Sequence, residues 1–265
     1  MTTDTSERNR KMPNAVSRVP SGVYLIADAG LLPAGGGGDV IAPLLEAGVV
    51  LVQYRCKRGH GGSGSNARGS GGDVRGGDGA RNSRIDARGG GARSSGDVRG
   101  GGDVRRRQAV ALRDVCRRFG VPLIVNDDIG LAAELGADGV HLGSGDGSVA
   151  AARRRLGGGA IVGVSCYGSA ARAARARDDG ADYVAFGSVF ASPTKPQAAR
   201  ISRDTLRKCV QGGALPVCAI GGIGPDNARA VWECGVQLIA AASGVLAAAD
   251  PRAAVAACLA ARPGQ

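Results

Sequence analysis

Residues 126–146 read NDDIGLAAELGADGVHLGSGD and come directly after the apolar run Leu123–Val125. That run predicts a short buried strand, Gly130–Leu135 predicts a helix, and Gly139–Leu142 predicts a second strand. A strand, a helix and a second strand in this order form a βαβ unit, whose two strands are parallel. The stretch therefore predicts an α/β fold built on a parallel sheet.

Polar residues follow both predicted strands. Asn126 and Asp127 come after the first strand, and Asp146 comes after the second. In a parallel barrel the C-terminal ends of the strands lie on one face, where active sites form. Hard carboxylate oxygens are preferred ligands of Mg²⁺. We therefore predict that Asp127 and Asp146 share a magnesium ion.

Short apolar runs continue to alternate with helical segments along the chain, and several of these segments end at a glycine, as helices often do. Eight βα units predict a TIM (β/α)8 barrel. A doubly wound open sheet stays an alternative, because periodicity alone does not show closure. The eight predicted strands are Val23–Ala27, Val49–Tyr54, Leu123–Val125, Gly139–Leu142, Ile161–Ser165, Tyr183–Phe186, Val217–Ile220 and Leu238–Ala241.

Residues 58–105 interrupt this alternation after the second strand. They consist mainly of Gly, Arg, Ser and Asp, a composition that cannot bury enough apolar surface to fold. We predict a disordered low-complexity insertion there, with its first helical segment afterwards at Arg106–Phe119. Residues 1–20 predict a flexible polar leader, and residues 21–265 a single barrel domain around the insertion.

The charge is concentrated in the insertion. The whole chain carries a formal charge of +11, and residues 58–107 contain eleven arginines and five aspartates, a net of +6. No apolar run approaches the roughly 20 residues of a membrane span, and the leader has no signal-peptide core. We expect a cytoplasmic protein that does not bind membranes. Its seven scattered cysteines contain no C-x-x-C pair, so we expect reduced thiols.

The second predicted strand ends in Gln53-Tyr54-Arg55-Cys56-Lys57. Because side chains alternate along a strand, Gln53, Arg55 and Lys57 point to one side. An amide and two cations at the end of a barrel strand are suited to binding a polyanion.

Hydroxyl groups and glycines follow the later strands. Ser165 ends the fifth, Ser192–Lys195 follows the sixth, Gly221-Gly222 follows the seventh, and Ser243-Gly244 follows the eighth. Hydroxyls, main-chain amides and an ammonium group at this face predict a phosphate site. Together with a metal and a cationic strand end, this site predicts two phosphorylated ligands, one of them a pyrophosphate.

These motifs together resemble the thiamine phosphate synthase family, from Val23 to about Ala261 apart from the insertion. They are QYRCK from Gln53, ND with GADGVHLGxxD from Asn126, GVS from Gly163, GADYV from Gly180, SPTK from Ser192 and AIGGI from Ala219. The resemblance implies a barrel enzyme that joins 4-amino-5-hydroxymethyl-2-methylpyrimidine pyrophosphate to 4-methyl-5-(2-phosphooxyethyl)thiazole. It also implies Mg²⁺ as cofactor, with thiamine phosphate and pyrophosphate as products.

The resemblance further implies a role for each residue that matches a motif. Asp127 and Asp146 would hold the metal, Gln53 would lie near the pyrimidine, and Asn126 would contact the pyrophosphate. The catalytic residues, which would stabilise the leaving pyrophosphate, would be Arg55, Lys57, Ser165 and Lys195. The thiazole phosphate would be bound by Ser192, Thr194, Gly222, Ala242 and Ser243. Ser144 departs from the family, which commonly has glutamine there.

Two other functions stay open at this point. Thiazole tautomerases share the fold but rely on an S-x-H tripeptide after the fifth strand, where this chain has Ser165-Cys166-Tyr167. A barrel scaffold for an RNA-binding Arg-Gly-Gly insertion is the second alternative. We expect small-molecule substrates rather than nucleic acid as partners, and a homodimer. Of the two histidines, His60 lies in the insertion, and both it and His141 are interpreted as structural.

Overall fold

The computed structural model describes residues 18–56, 97–192, 197–213 and 215–264 of the 265-residue chain, with backbone conformation alone for residues 97–102. Most of the predicted leader and of the insertion, including His60, therefore lies outside the described residues. Three predicted site residues, Lys57, Thr194 and Lys195, lie outside them as well.

Eight parallel strands close into a barrel in chain order. Closure is direct, because the first strand pairs with the eighth from Gly22 with Leu238 to Leu25 with Ala241. The predicted TIM barrel is confirmed, and the open-sheet alternative is wrong. The strands are β1 Gly22–Asp28, β2 Val49–Arg55, β3 Leu123–Asn126, β4 Gly139–Leu142, β5 Ile161–Tyr167, β6 Tyr183–Phe186, β7 Val217–Ile220 and β8 Leu238–Ala241.

Helices connect the strands and cover the outside of the barrel. A short 3-10 helix, Ala29–Leu31, follows β1. The α-helices are α1 Gly38–Glu46, α2 Asp97–Phe119, α3 Ile129–Leu135, α4 Val149–Leu156, α5 Ala170–Asp178, α6 Arg203–Gln211, α7 Ala228–Trp232, α8 Ser243–Leu246 and α9 Pro251–Ala260. In the described part of the chain, no helix has the length and apolar character needed to cross a membrane.

The second helix begins earlier than the sequence predicts. Residues 97–105 were assigned to the disordered insertion, but α2 starts at Asp97. Contacts with the barrel explain the difference: Tyr54 Oη donates to the Arg105 carbonyl oxygen at 3.0 Å, and Arg105 Nη2 donates to Asp128 Oδ2 at 2.8 Å. Composition does not reveal such long-range contacts, and they favour the helix over a disordered chain.

Two apolar clusters hold the barrel together. The larger cluster lies between the strands and the helices, and the smaller one fills the barrel interior. Tyr24 and Tyr183 are the bulkiest interior side chains, with their rings edge to face at 6.0 Å between centroids. Gly163 provides the space for Tyr183, because a Cβ on Gly163 would lie 2.1 Å from that ring. The narrow interior thus accepts two tyrosines in a chain with few aromatic residues.

The cysteines are free thiols, as predicted, and all but Cys56 are buried. Burial raises the pKa of the Cys116 thiol to about 12 and that of the Cys166 and Cys258 thiols to about 11. These thiols therefore stay protonated and unreactive near neutral pH.

Gly139 is a position where the barrel tolerates no side chain. A Cβ there would lie 1.9 Å from the carbonyl oxygen of Ile161 in the neighbouring strand, so Gly139→Ala forces two backbones apart. We expect a loss of roughly 2–3 kcal/mol of unfolding free energy in urea denaturation. Gly159→Ala is the control, because a Cβ on Gly159 meets nothing within 4 Å. Equal stability of the two variants would contradict this account of the strand contact.

Candidate active site

A cavity of ≈500 Å³ opens at the C-terminal ends of the strands. It lies at the face where active sites of this architecture form. The predicted site residues that line it are Gln53, Arg55, Asn126, Ser165, Ser192, Gly222, Ala242 and Ser243. Residues predicted from separate motifs, spread over most of the chain, thus meet around one cavity.

The two aspartates predicted to bind metal face a common point beside this cavity. A Cβ built on Gly143 would lie 2.6 Å from Asp146 Oδ2 and 3.8 Å from Asp127 Oδ1. Asp146 Oδ2 also accepts a hydrogen bond from the Gly143 amide at 2.9 Å. The absence of a side chain at Gly143 therefore leaves space between the carboxylates.

Asp127 adopts a left-handed backbone conformation with φ of 64°. Such a conformation is unfavourable for a residue with a side chain, and residues of this kind concentrate at functional sites. Its amide donates to the carbonyl oxygen of His141 at 2.8 Å, which fixes the turn after β3 against β4. The turn thereby directs the Asp127 carboxylate towards the space beside Gly143.

Two carboxylates suit Mg²⁺, which is commonly bound through one or two carboxylates, several waters and phosphate oxygens of a substrate. Within the described residues, no group of three or more His, Cys, Asp or Glu side chains could hold a metal by itself. The carboxylates of Asp127 and Asp146, which flank Gly143, have the donor chemistry of a magnesium site that a phosphorylated ligand completes.

Arg55 lies in the cavity wall and is held by an acid that the sequence analysis did not identify. Its Nη1 forms an ion pair with Asp28 Oδ2, and the two residues are paired in register on β1 and β2. Among the residues that the structure describes, Arg55 Nη2 is buried without a hydrogen-bond partner. A buried donor of this kind is costly unless a ligand completes it, so Arg55 is suited to an anion. Asp28 was recognisable by the rule used for Asp127, since it ends a strand at the same face.

Glycines after β7 shape the opposite side of the cavity. Gly221 and Gly222 have φ of 108° and 63°, respectively. A Cβ on Gly222 would lie 2.1 Å from the Ala191 carbonyl oxygen, so the loops after β6 and β7 touch through their backbones. This contact brings Ser192 and Gly222 to the cavity, where the loop after β8 adds Ala242 and Ser243. Ser243 begins the short helix α8.

His141 also lines the cavity, and its Nε2 lies 2.9 Å from Ser165 Oγ. Tyr167 stands where a tautomerase would have histidine, and its hydroxyl lies 3.2 Å from Ser144 Oγ. Ser144 thus retains a polar contact at the position where the family commonly has glutamine. His141 was not identified as a site residue from the sequence, because its contacts depend on how the strands meet inside the barrel.

A closed (β/α)8 barrel with a cavity at the C-terminal ends of its strands has the architecture of the TIM-barrel class, whose enzymes carry their active sites at this face. The model of the family described as TMP-TENI, thiamine monophosphate synthase, matches residues 101–245. The thiamine-phosphate synthase of Nitrosococcus oceani is 39% identical over 236 residues, which are 89% of this chain and 90% of that protein. The thiamine-phosphate synthase of Methylococcus capsulatus is 54% identical over 146 residues, which are 55% of this chain and 65% of that protein.

Among solved structures, thiamine phosphate pyrophosphorylase from Pyrococcus furiosus aligns with a TM-score of 0.65 and 29% identity. The alignment covers 91% of this chain and 94% of that chain. The chain therefore belongs to the thiamine monophosphate synthase family and is a transferase of thiamine biosynthesis. The resemblance read from the sequence motifs is confirmed.

Proposed function

We propose that this chain joins 4-amino-5-hydroxymethyl-2-methylpyrimidine pyrophosphate to 4-methyl-5-(2-phosphooxyethyl)thiazole and releases pyrophosphate and thiamine phosphate. The observation that carries the proposal is the cavity itself. It gathers an arginine with a buried donor, two carboxylates beside it, and a separate group of hydroxyls and glycines. Two phosphorylated substrates need two anion sites, and these two groups of residues support that assignment.

The pyrophosphate would bind on the side of β2, β3 and β5. Arg55, Asn126 and Ser165 line that side, and the family motif adds Lys57 and Lys195. Gln53 would contact the pyrimidine ring. Asp127 and Asp146 would hold Mg²⁺, which when bound supplies positive charge to the pyrophosphate oxygens.

The thiazole phosphate would bind on the side of β6, β7 and β8. Its partners would be the hydroxyls of Ser192, Thr194 and Ser243 and the main chain at Gly222 and Ala242. Hydroxyls and close-approaching main chain are suited to a phosphate without further charge. This anchor would hold the thiazole nitrogen beside the methylene carbon of the pyrimidine, so that the second step is effectively intramolecular.

The reaction follows a dissociative path in this proposal. Cleavage of the C–O bond leaves a pyrimidinylmethyl cation and places negative charge on pyrophosphate. Arg55, Lys57, Lys195 and the Ser165 hydroxyl would stabilise that charge as it develops. The thiazole nitrogen then captures the cation, and no general base is required because no proton is removed at either carbon or nitrogen.

The direct test is a product assay with both phosphorylated substrates and Mg²⁺. We expect thiamine phosphate and pyrophosphate to form in equal amounts, measured by chromatography and by phosphate release after pyrophosphatase. When the thiazole phosphate is omitted, pyrophosphate should accumulate much more slowly than in the complete reaction. Absence of thiamine phosphate with folded protein and both substrates would contradict the proposal.

Asp28 should affect catalysis by holding Arg55 in position. Asp28→Asn keeps the side-chain size but removes the charge that holds Nη1, and a hydrogen bond between charged groups contributes roughly 1.5–3 kcal/mol. We expect kcat/KM for the pyrimidine pyrophosphate to fall roughly 10- to 100-fold in steady-state kinetics. The KM for the thiazole phosphate should stay near the parent value, because Ser192 and Gly222 are untouched. An equal rise in both KM values would point to general disruption instead.

A cytoplasmic location and a homodimer stay predictions from the sequence. Sedimentation of the purified protein tests the dimer, since one chain has a mass of 26.4 kDa.

A further inference from the structure

A continuous chain of hydrogen bonds crosses the barrel interior beneath the cavity. Gln53 Nε2 donates to Tyr24 Oη at 2.7 Å, and Tyr24 Oη lies 2.9 Å from Tyr183 Oη. Tyr183 Oη lies 2.9 Å from His141 Nδ1, and His141 Nε2 lies 2.9 Å from Ser165 Oγ. Both terminal residues, Gln53 and Ser165, line the cavity.

The backbone register explains how the chain forms. His141 on β4 is paired with Gly163 on β5, and Gly163 is paired with Tyr183 on β6. Since Gly163 has no side chain, the Tyr183 ring lies across it and approaches the imidazole, with 5.4 Å between ring centroids. The three central residues Tyr24, Tyr183 and His141 are all buried.

The number of protons available shows which residue donates in each bond of the hydrogen-bond chain. Burial raises the pKa of Tyr24 and Tyr183 well above the usual tyrosine value, so each phenol stays neutral and has one proton to donate. Because Gln53 already donates to Tyr24, the Tyr24 proton goes to Tyr183, and the Tyr183 proton goes to His141 Nδ1. A neutral imidazole then carries its proton on Nε2 and donates it to Ser165 Oγ. Ser165 keeps its own proton for a ligand in the cavity.

The reverse order is the alternative continuous arrangement. If the Gln53 amide turned its oxygen to Tyr24, every donor in the chain would reverse, and Ser165 would donate to His141 Nε2. Ser165 would then offer only lone pairs to the cavity. Whether Ser165 donates or accepts a hydrogen bond in the cavity therefore depends on whether Gln53 turns its NH₂ group or its oxygen to Tyr24. The two residues lie at opposite ends of the hydrogen-bond chain.

We propose that Tyr24, Tyr183 and His141 are positioning residues that couple Gln53 to Ser165 in the transferase reaction. This inference deepens the proposed function and rests on it, because it takes the pyrimidine to lie at Gln53 and the pyrophosphate at Ser165. The 4-amino group of the pyrimidine is a donor, so it requires the Gln53 oxygen and turns the Gln53 NH₂ group towards Tyr24. That order directs the Ser165 hydroxyl proton to the pyrophosphate, where negative charge develops.

A double-mutant cycle of Gln53→Ala and Ser165→Ala tests the coupling, with single-turnover rates as the readout. In the parent protein we expect the double variant to differ from the product of the single effects by roughly 5- to 10-fold. Tyr183→Phe removes one hydroxyl and keeps the ring. In its background, the effect of the double variant should equal the product of the two single effects to within about 2-fold. Tyr24→Phe breaks the chain at another bond and should give the same result.

Tyr54→Phe is the matched control. Tyr54 is also a buried tyrosine, but its hydroxyl bonds to Arg105 and Gln108, which are not part of the hydrogen-bond chain from Gln53 to Ser165. The coupling should persist in its background. Coupling that is absent in the parent, or that persists in both Tyr183→Phe and Tyr24→Phe, would overturn the proposal and leave these tyrosines a packing role.

A second measurement does not depend on turnover. ¹⁵N NMR of the imidazoles should show His141 with its proton on Nε2, and the signals are assigned by His60→Gln, since the chain has two histidines. In Tyr183→Phe, the Nε2–H form should no longer be the single tautomer. A proton on Nδ1 in the parent would overturn the proposed direction of the hydrogen-bond chain. If the parent protein showed the expected tautomer but no activity, the proposed function would be contradicted and the direction of the hydrogen bonds would still hold.

Discussion

Asp127→Asn and Asp146→Asn are each expected to lower the rate of thiamine phosphate formation roughly 10³-fold, because each removes one of the two charges proposed to hold Mg²⁺ at the pyrophosphate. Asparagine is the informative substitution. It tolerates the left-handed conformation of Asp127 better than alanine does. At Asp146 its amide oxygen can still accept the hydrogen bond from Gly143. The fold should therefore survive while the charge is lost.

The measurement is the initial rate at increasing Mg²⁺ with saturating substrates, together with a thermal melt of each variant. We expect both variants to melt close to the parent and to need more Mg²⁺ for any remaining activity. Asp178→Asn is the control, because this exposed carboxylate pairs only with the neighbouring Arg177 among the described residues. Either active-site variant with more than about a tenth of the parent rate would argue against a shared metal site.

Arg55→Ala is expected to give the second-largest effect, a fall in kcat of roughly 10²- to 10³-fold. The reason is the buried Nη2, which among the described residues has no hydrogen-bond partner and which we propose donates to the leaving pyrophosphate. Arg55→Lys keeps the charge but loses the two-pronged geometry that matches phosphate oxygens, so it should restore only part of the rate.

Steady-state kinetics with each substrate varied separates this effect from general damage. The loss should appear in kcat, because the interaction strengthens as charge builds up in the transition state. Arg229→Ala serves as control, since Arg229 is exposed and pairs with Glu233 on the outside of the barrel. A change of less than about 3-fold in Arg55→Ala would exclude Arg55 as a catalytic residue.

The strand pattern could be predicted because the barrel strands are short apolar runs between clear turn residues. The bounds of β4, β6, β7 and β8 agree with the prediction, whereas β1, β2, β3 and β5 extend one or two residues further at their ends. The start of α2 was missed because Gly-rich composition favours disorder, while contacts of Arg105 with Tyr54 and Asp128 hold the segment in place.

The site was predictable where function places residues at strand ends, because parallel strands bring those ends to one face. Gln53, Arg55, Asn126 and Ser165 were predicted in this way, and the structure places all four in the cavity wall. Asp28 ends β1 at the same face but was not recognised. The chain through Tyr24, Tyr183 and His141 was not predictable, because it depends on which side chains meet across the barrel and on the space left by Gly163. One sequence shows alternation along a strand, but it does not show those cross-barrel contacts.

A crystal structure with Mn²⁺, pyrophosphate and thiamine phosphate tests most directly whether both anion sites lie in this single cavity with the metal site beside it. We expect an anomalous peak between the Asp127 and Asp146 carboxylates and pyrophosphate against Arg55 and Ser165. The phosphate of thiamine phosphate should lie at Ser192, Gly222 and Ser243. Manganese at another site, or the product phosphate on the side of Arg55, would contradict this arrangement of the active site.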